Sequence, residues 1–254
     1  MENTPPFRRK RAYISALGIT QLHLRNPWII AFFSFSFPGF GYLVLNRYLK
    51  AFLLIGWELF INSLAHINMG IMYTLLGKFD KAKEVLDQRY LILYSAIYIY
   101  SIWDSYRNAV DANKQYVLAD REDAPIPLIK YSDWDVNFLD KRSPLNALCW
   151  SILMPGLGHL YIHKVITGIF IFIFTIFIMY HSHVPLAIHH TMIGDFAQAK
   201  EILNMQWAIY LPSVFSFIYY DAYASAVEYN KLFEKEQAKF LRTHYQNPNF
   251  KMPL

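Results

Sequence analysis

Glu58 is the one charged side chain in the apolar run from Ala51 to Ile67. An ionisable group inside such a run marks ion or proton chemistry by default, because hydrocarbon penalises its charged form; pairing with Arg47 or Lys50 is the plainer alternative for Glu58. Asp104 and Asp221 stand at the ends of two further apolar runs, each followed two residues on by a tyrosine, Tyr106 and Tyr223. A carboxyl and a phenol at that spacing suit helix-end anchors or proton-sensitive contacts; ordinary interfacial acids are the plainer alternative. Histidines gather late in the chain, with His159 and His163 four apart and His181, His183, His189 and His190 in one segment. Imidazoles of that kind are ligands for zinc or copper. No cysteine joins them and no HExxH pattern occurs, so a solvated, pH-responsive loop is the reading taken, with metal binding as its alternative. Walker-type loops, GxGxxG, GxSxG and paired carboxylates are all missing from the sequence. The chain is therefore read as no enzyme, and no cofactor is expected.

The elements that must position these groups are apolar. Of 254 residues 55% are hydrophobic and only 17% charged, which points to a bilayer as solvent. Four uncharged or nearly uncharged runs, 51–67, 91–103, 166–180 and 208–220, approach the roughly 20 residues a helix needs to cross hydrocarbon. Tyrosine and tryptophan crowd their ends, as at Trp103 and Trp207. The basic start, Arg8 to Arg11, precedes no sustained apolar core, so a cleavable leader is not expected. The single cysteine, Cys149, is read as a small buried apolar residue. A net charge of +5 lies in residues flanking the apolar runs, which fits anionic lipid and topology better than nucleic acid.

Sliding the chain by 117 residues superposes Pro38-Gly39-Phe40-Gly41 on Pro155-Gly156-Leu157-Gly158, since 155 − 38 = 117. Between residues 26 and 114, 24 of 89 positions then match without a gap, among them His66 with His183, Asp104 with Asp221 and Asn113 with Asn230. A fixed period of this kind means two copies of one unit. The expected organisation is a basic segment (1–25), a first membrane repeat (26–116), a polar linker (117–142), a second repeat (143–231) and a polar tail (232–254).

Within each repeat, Pro38, Gly39 and Gly41, and Pro155, Gly156 and Gly158, are structural turn motifs. Proline removes a helix hydrogen bond and glycine tolerates a tight reversal. About ten apolar residues before each proline make roughly 15 Å of helix, half a bilayer, so the chain is expected to dip in and turn back. Charge agrees: with two full spans and one re-entrant hairpin per repeat, 19 of the 24 Lys and Arg share one side, against 15 with three spans. Between the spans, Ile71, Leu75, Phe79, Ala82 and Leu86 share one face, which suits an amphipathic helix lying in the interface, with packing against the other copy as the equal alternative. The fold class expected is all-α and integral membrane: two tandem repeats, each a re-entrant or kinked PGxG hairpin, two transmembrane helices and an interfacial helix.

The openings "PGFGYLVLNRYLKAFLLI" and "PGLGHLYIHKVITGIFIF", with the exits "WDSYRNA" and "YDAYASA", resemble those of small bacterial membrane proteins grouped with the TM2 domain. The glycine usual shortly after the aromatic is Asn46 in one copy and His163 in the other. The resemblance implies a multi-pass membrane protein and brings no catalytic residue. The function expected is a structural or protein-interaction component of a bacterial plasma membrane, with both termini cytoplasmic. Its expected partners are lipid, other membrane proteins or itself, and no nucleic acid. The alternatives are a small transporter or channel subunit with a site between the repeats, and a membrane enzyme or His-based metal-binding protein.

Overall fold

The computed structural model describes residues 8–133 and 135–246; residues 1–7, 134 and 247–254 lie outside them. The described chain is predominantly helical, and two of its helices, Tyr48–Ala65 and Val165–Ser182, are long and apolar enough to cross a membrane. Helix α1, Pro27–Ser36, starts where Asn26 Oδ1 accepts from Trp28 N–H at 3.0 Å and Pro27 supplies a preset φ. It ends at Phe37, whose extended backbone is what a following proline demands. A five-residue helix α2 (Phe40–Val44) follows, then α3 (Tyr48–Ala65), α4 (Ile67–Leu75), α5 (Phe79–Val85) and α6 (Gln88–Glu122).

Each bound recurs 117 residues on in α7 (Pro144–Leu153), α8 (Leu157–Tyr161), α9 (Val165–Ser182), α10 (Val184–Met192) and α11 (Phe196–Ile202). The counterpart of α6 is broken into α12 (Met205–Ala208) and α13 (Tyr210–His244). Pro212 stands there in place of Ser95 and cannot donate to the Ala208 carbonyl, which accounts for the break.

The PGxG corners reverse the chain. Gly39 and Gly156 have φ of 106° and 99°, a region that side chains disfavour. A Cβ on Gly41 would come under 3.0 Å from the Ser34 hydroxyl and the Ile30 carbonyl, so α2 lies directly on α1. Entry and exit of each hairpin then meet: Arg25 Nη1 donates to the Val44 carbonyl, and Arg142 Nη1 to the Tyr161 carbonyl at 2.5 Å. Asn46 and His163 take φ of 57° and 60°, a left-handed turn that asparagine tolerates well. The corners have unlike surroundings. Phe37 and Phe40 are buried among Phe174, Tyr210 and Phe217 of the second half, whereas Leu153 and Met154 beside the second corner are exposed.

Several expectations need correction. The stretch between the spans is two helices, not one, because Gly77 at φ 70° ends α4 and α5 folds back so that Leu86 packs on Gly70. Cys149 is exposed on α7, not buried. The basic segment and the linker hold antiparallel hairpins, β1 (Ala12–Ser15) with β2 (Gly18–Gln21), and β3 (Ile129–Tyr131) with β4 (Val136–Phe138). Their registers also correspond at 117 residues, Ala12↔Gln21 with Ile129↔Phe138. Helix α6 continues past residue 117 into the linker as far as Glu122, and the tail begins as helix, as expected, with α13 running to His244. The two extensions are joined by Arg11, which is 1% exposed and bonds Asp123 at 2.6 Å and Glu236 at 2.7 Å. Ile14 and Ile19 of the first hairpin form a second small core with Ala226, Tyr229 and Leu232 of α13.

One device fastens each half identically. Asn113 Oδ1 accepts from Arg25 N–H at 2.9 Å and its Nδ2 donates to the Arg25 carbonyl at 2.8 Å. Asn230 holds Arg142 the same way, at 2.8 Å in both directions. Asn113→Ala and Asn230→Ala are each expected to cost about 1–3 kcal/mol, because a paired backbone donor and acceptor are orphaned together. Thermal unfolding in detergent micelles measures this, and an unchanged midpoint for both variants would show the clamps to be idle.

Candidate functional site

The two exit aspartates are the centres of corresponding polar clusters, each set by a hairpin helix, a long helix and the start of a span. In the first half Tyr42 on α2 donates to Asp104 Oδ2 at 2.6 Å, Lys50 on α3 reaches the same oxygen at 2.9 Å, and Asn108, one turn on, donates at 2.8 Å. In the second half His159 takes the place of Tyr42, with Nε2 3.0 Å from Asp221 Oδ2, and Lys164 Nζ lies 2.6 Å from that oxygen. The cation has changed position: Lys164 corresponds to Arg47, while Thr167 stands where Lys50 would be and meets the Tyr48 hydroxyl at 3.2 Å. The second cluster is also drier. Lys164 is 4% exposed, against 45% for Lys50. Tyr106 and Tyr223, singled out with the aspartates, lie outside both clusters: Tyr106 stacks edge-on against Trp28 at 5.0 Å, and Tyr223 is exposed. Sequence reasoning missed His159 and Lys164 as partners of Asp221; their alignment with Tyr42 and Arg47 was the signal available.

Glu58 is buried, and its partners come from both halves. Asn62 Nδ2 donates to Glu58 Oε1 at 2.8 Å, and the Tyr210 hydroxyl reaches that oxygen at 3.5 Å. Asn62 is further tied to Asn68 and to Gln206 Nε2, at 3.0 and 2.8 Å, and Asn68 Nδ2 donates to the Gln206 carbonyl at 2.7 Å. The Tyr94 phenol also reaches the Glu58 carboxyl. Lys50, one helical face away in sequence, goes to Asp104 instead. Because Gln206 and Tyr210 lie on α12 and α13, this network joins the outer end of α3 to the second half.

The histidines do not converge. His181 stacks on Trp207 with centroids 4.8 Å apart, His183 caps α9 in a left-handed turn with Nδ1 3.1 Å from the Ile202 carbonyl, and the rings of His189 and His190 lie 5.8 Å apart. Among the described residues no three His, Cys, Asp or Glu side chains are grouped to hold a metal ion.

His23, between β2 and α1, is neutral. Its Nε2 accepts from Arg25 Nε at 2.8 Å, and Nδ1 lies 3.1 Å from the Leu24 carbonyl and 3.2 Å from Glu228. Burial, and then the neighbouring Arg25 charge, hold this imidazole well below the histidine range, at about 3. Its contribution is therefore complete above about pH 6.5 and is lost as pH falls towards 3, since the unfolded chain takes up the proton first. Acidification from pH 7 to 5 is expected to cost up to about 2 kcal/mol through this residue. Comparing unfolding midpoints of wild type and His23→Gln at both pH values measures it; the variant's loss on acidification should be the smaller.

No family model, curated protein or solved structure matches the chain.

Proposed function

We propose that this chain is a multi-pass integral membrane protein built from two tandem copies of one module, acting as a non-catalytic structural or interaction component of a bacterial plasma membrane. The observation that carries the reading is the apolar surface of its two longest apolar helices. Only 33% of α3 and 39% of α9 is buried. A core helix of a water-soluble protein buries most of such a surface, and contiguous apolar exposure on this scale marks a lipid or protein contact. Phe60 on α3, Ile173 and Ile176 on α9, and Ile92 and Ile99 on α6 all face outward. The repeated element bounds, hairpin registers and asparagine clamps support duplication. The distribution of lysine and arginine supports two spans and one re-entrant hairpin per module, both termini cytoplasmic. The test is extraction. Alkaline carbonate should leave the full chain in the membrane pellet and detergent should release it; release by carbonate alone would end the reading.

Glu58 favours a second reading, a small transporter or channel subunit. A buried carboxyl held by Asn62 and by the phenols of Tyr94 and Tyr210, at a seam between two pseudo-symmetric halves, is the arrangement that coupled transport uses. Ion or proton flux in liposomes that Glu58→Gln abolishes would carry it, and an absence of flux would remove it.

A further inference from the structure

The start of α9 is covered, and the start of α3 is open. On α9 the Leu17 carbonyl, at the tip of the first hairpin, accepts from Val165 N–H at 3.1 Å, and the Ala16 carbonyl lies 2.8 Å from His163 Nε2. Symmetry would place the second hairpin on α3. It lies beside the first hairpin instead, with Asn137 Nδ2 donating to the Ser15 carbonyl at 2.7 Å and both of its strands packed on β1. At the start of α3 a cleft of about 440 Å³ remains, lined by His23, Arg25, Leu45, Arg47, Asp111 and Lys114, among others.

The charge in that cleft is unbalanced. Its lining holds three permanent cations, Arg25, Arg47 and Lys114, and one carboxylate, Asp111; Arg25 is also compensated by Asp221 and by Glu228, which lies 3.2 Å from the neutral His23, so the excess rests on Arg47 and Lys114. Of the corresponding residues of the second half, Lys164 turns inward to Asp221, Lys231 pairs with Glu228 at 2.6 Å, and Arg142 bonds the Tyr161 carbonyl. In the first half Lys50 has taken the aspartate, and Arg47 has no side-chain partner among the described residues. Arg25 spends Nη1 on Val44 and Nε on His23, which leaves Nη2, and Lys114 is 3.5 Å from Asp111. A peptide hairpin seated here would leave Arg47 uncompensated; a phosphate would meet it, since guanidinium groups match phosphate oxygens geometrically as well as in charge. Trp28 and Leu49, three and two residues on from Arg25 and Arg47, are 71% and 77% exposed, so exposed apolar side chains follow closely on the cationic lining.

We propose that this cleft binds one anionic phosphate group, that of a lipid headgroup in the leaflet where α1 and α3 begin. The inference rests on the membrane reading above, and goes beyond it by naming one site and its ligand chemistry. Asymmetry between the halves then has a use: one hairpin start is closed by protein, and its twin is closed by lipid.

The test uses the full chain in detergent, titrated with fluorescent phosphatidylglycerol and, separately, with phosphatidylcholine and inorganic phosphate. Phosphatidylglycerol is expected to bind more tightly than phosphatidylcholine. Arg47→Gln and Lys114→Gln should each weaken it about fivefold, the value of one basic residue at a lipid surface, while Lys200→Gln leaves it unchanged. Both altered side chains are exposed, so the variants should fold, and their unfolding midpoints check this. If inorganic phosphate competes at equal strength, the source is a free anion; if it does not, the source is lipid. Phosphatidylglycerol binding that is identical in wild type, Arg47→Gln and Lys114→Gln overturns the proposal. Failure of the membrane reading shows separately, as release of the chain from vesicles by carbonate.

Discussion

Asp221→Ala should destabilise the protein by about 3–5 kcal/mol, well above the effect of Asp104→Ala. Removing the Asp221 carboxylate leaves the Lys164 ammonium almost fully buried, with only the Ser225 hydroxyl at 3.4 Å, and takes from His159 its one ring partner. Removing Asp104 frees Lys50, whose exposed ammonium can turn to water, and leaves the buried Tyr42 hydroxyl only the Ser101 carbonyl at 3.4 Å, so a loss of about 1–2 kcal/mol is expected there. The cost of Asp221→Ala is mostly that of a stranded charge. Asp221→Ala combined with Lys164→Met should therefore recover at least half of it, because a buried ion pair replaced by apolar groups is often close to neutral. Unfolding in mixed micelles measures all four proteins. Equal effects of Asp104→Ala and Asp221→Ala, or no recovery in the double variant, would mean that Lys164 is hydrated and the second cluster is not the dry core described.

Gly39→Ala should cost roughly 2–5 kcal/mol, the sum of backbone strain and overpacking. At φ 106° the added Cβ would lie 2.6 Å from Ile55 Cγ1 and 2.7 Å from the Ala51 carbonyl, an atom of helix backbone that cannot step aside. Gly56, on the same helix α3, is the control, because a Cβ there meets nothing within 4 Å. Gly56→Ala should be neutral, or stabilising by up to about 1 kcal/mol through helix propensity. The contrast tests whether the corner is packed against α3 as described. If both alanine variants melt with wild type, the chain does not turn where Gly39 is.

Much of the architecture was legible in the sequence because the signals were local. Proline after a run of ten apolar residues ends a helix wherever the chain sits, and the 117-residue offset carried the bounds of α1 to α5 into α7 to α11, failing only at Pro212 and at the far end of the last helix. The hairpins were not legible. Of the strand and connector residues 12–25 only Ser15, Leu22 and Arg25 recur at the offset, and Ile129, Lys130 and Tyr131 are all exposed, so no alternation of apolar and polar residues announces a strand. They pair because of what they lean on. The single interfacial helix was misjudged for the opposite reason: its apolar face is periodic straight through Gly77, and periodicity does not register that a glycine has turned left-handed. The clusters were partly legible. Asp104, Asp221 and Glu58 stand out as charges in apolar surroundings, but their partners are the unremarkable Tyr42, Asn62, Asn68 and Gln206, brought in by tertiary contacts. Lys164 was harder to find: it aligns with the basic Arg47, but that Lys164 and not the residue aligned with Lys50 takes the aspartate is settled only by the tertiary contact.

The proposed membrane arrangement depends most on its claim that the chain enters and leaves from one side at each PGxG corner. Impermeant thiol labelling of sealed vesicles tests it, with Cys149→Ser as background and single cysteines in turn at Leu24, Arg47, Lys81, Lys141 and Asp195. Leu24, Arg47 and Lys141 should label from one face, and Lys81 and Asp195 only from the other. Arg47 labelling from the face opposite to Leu24 would make the first hairpin a crossing and contradict the fold's relation to the bilayer.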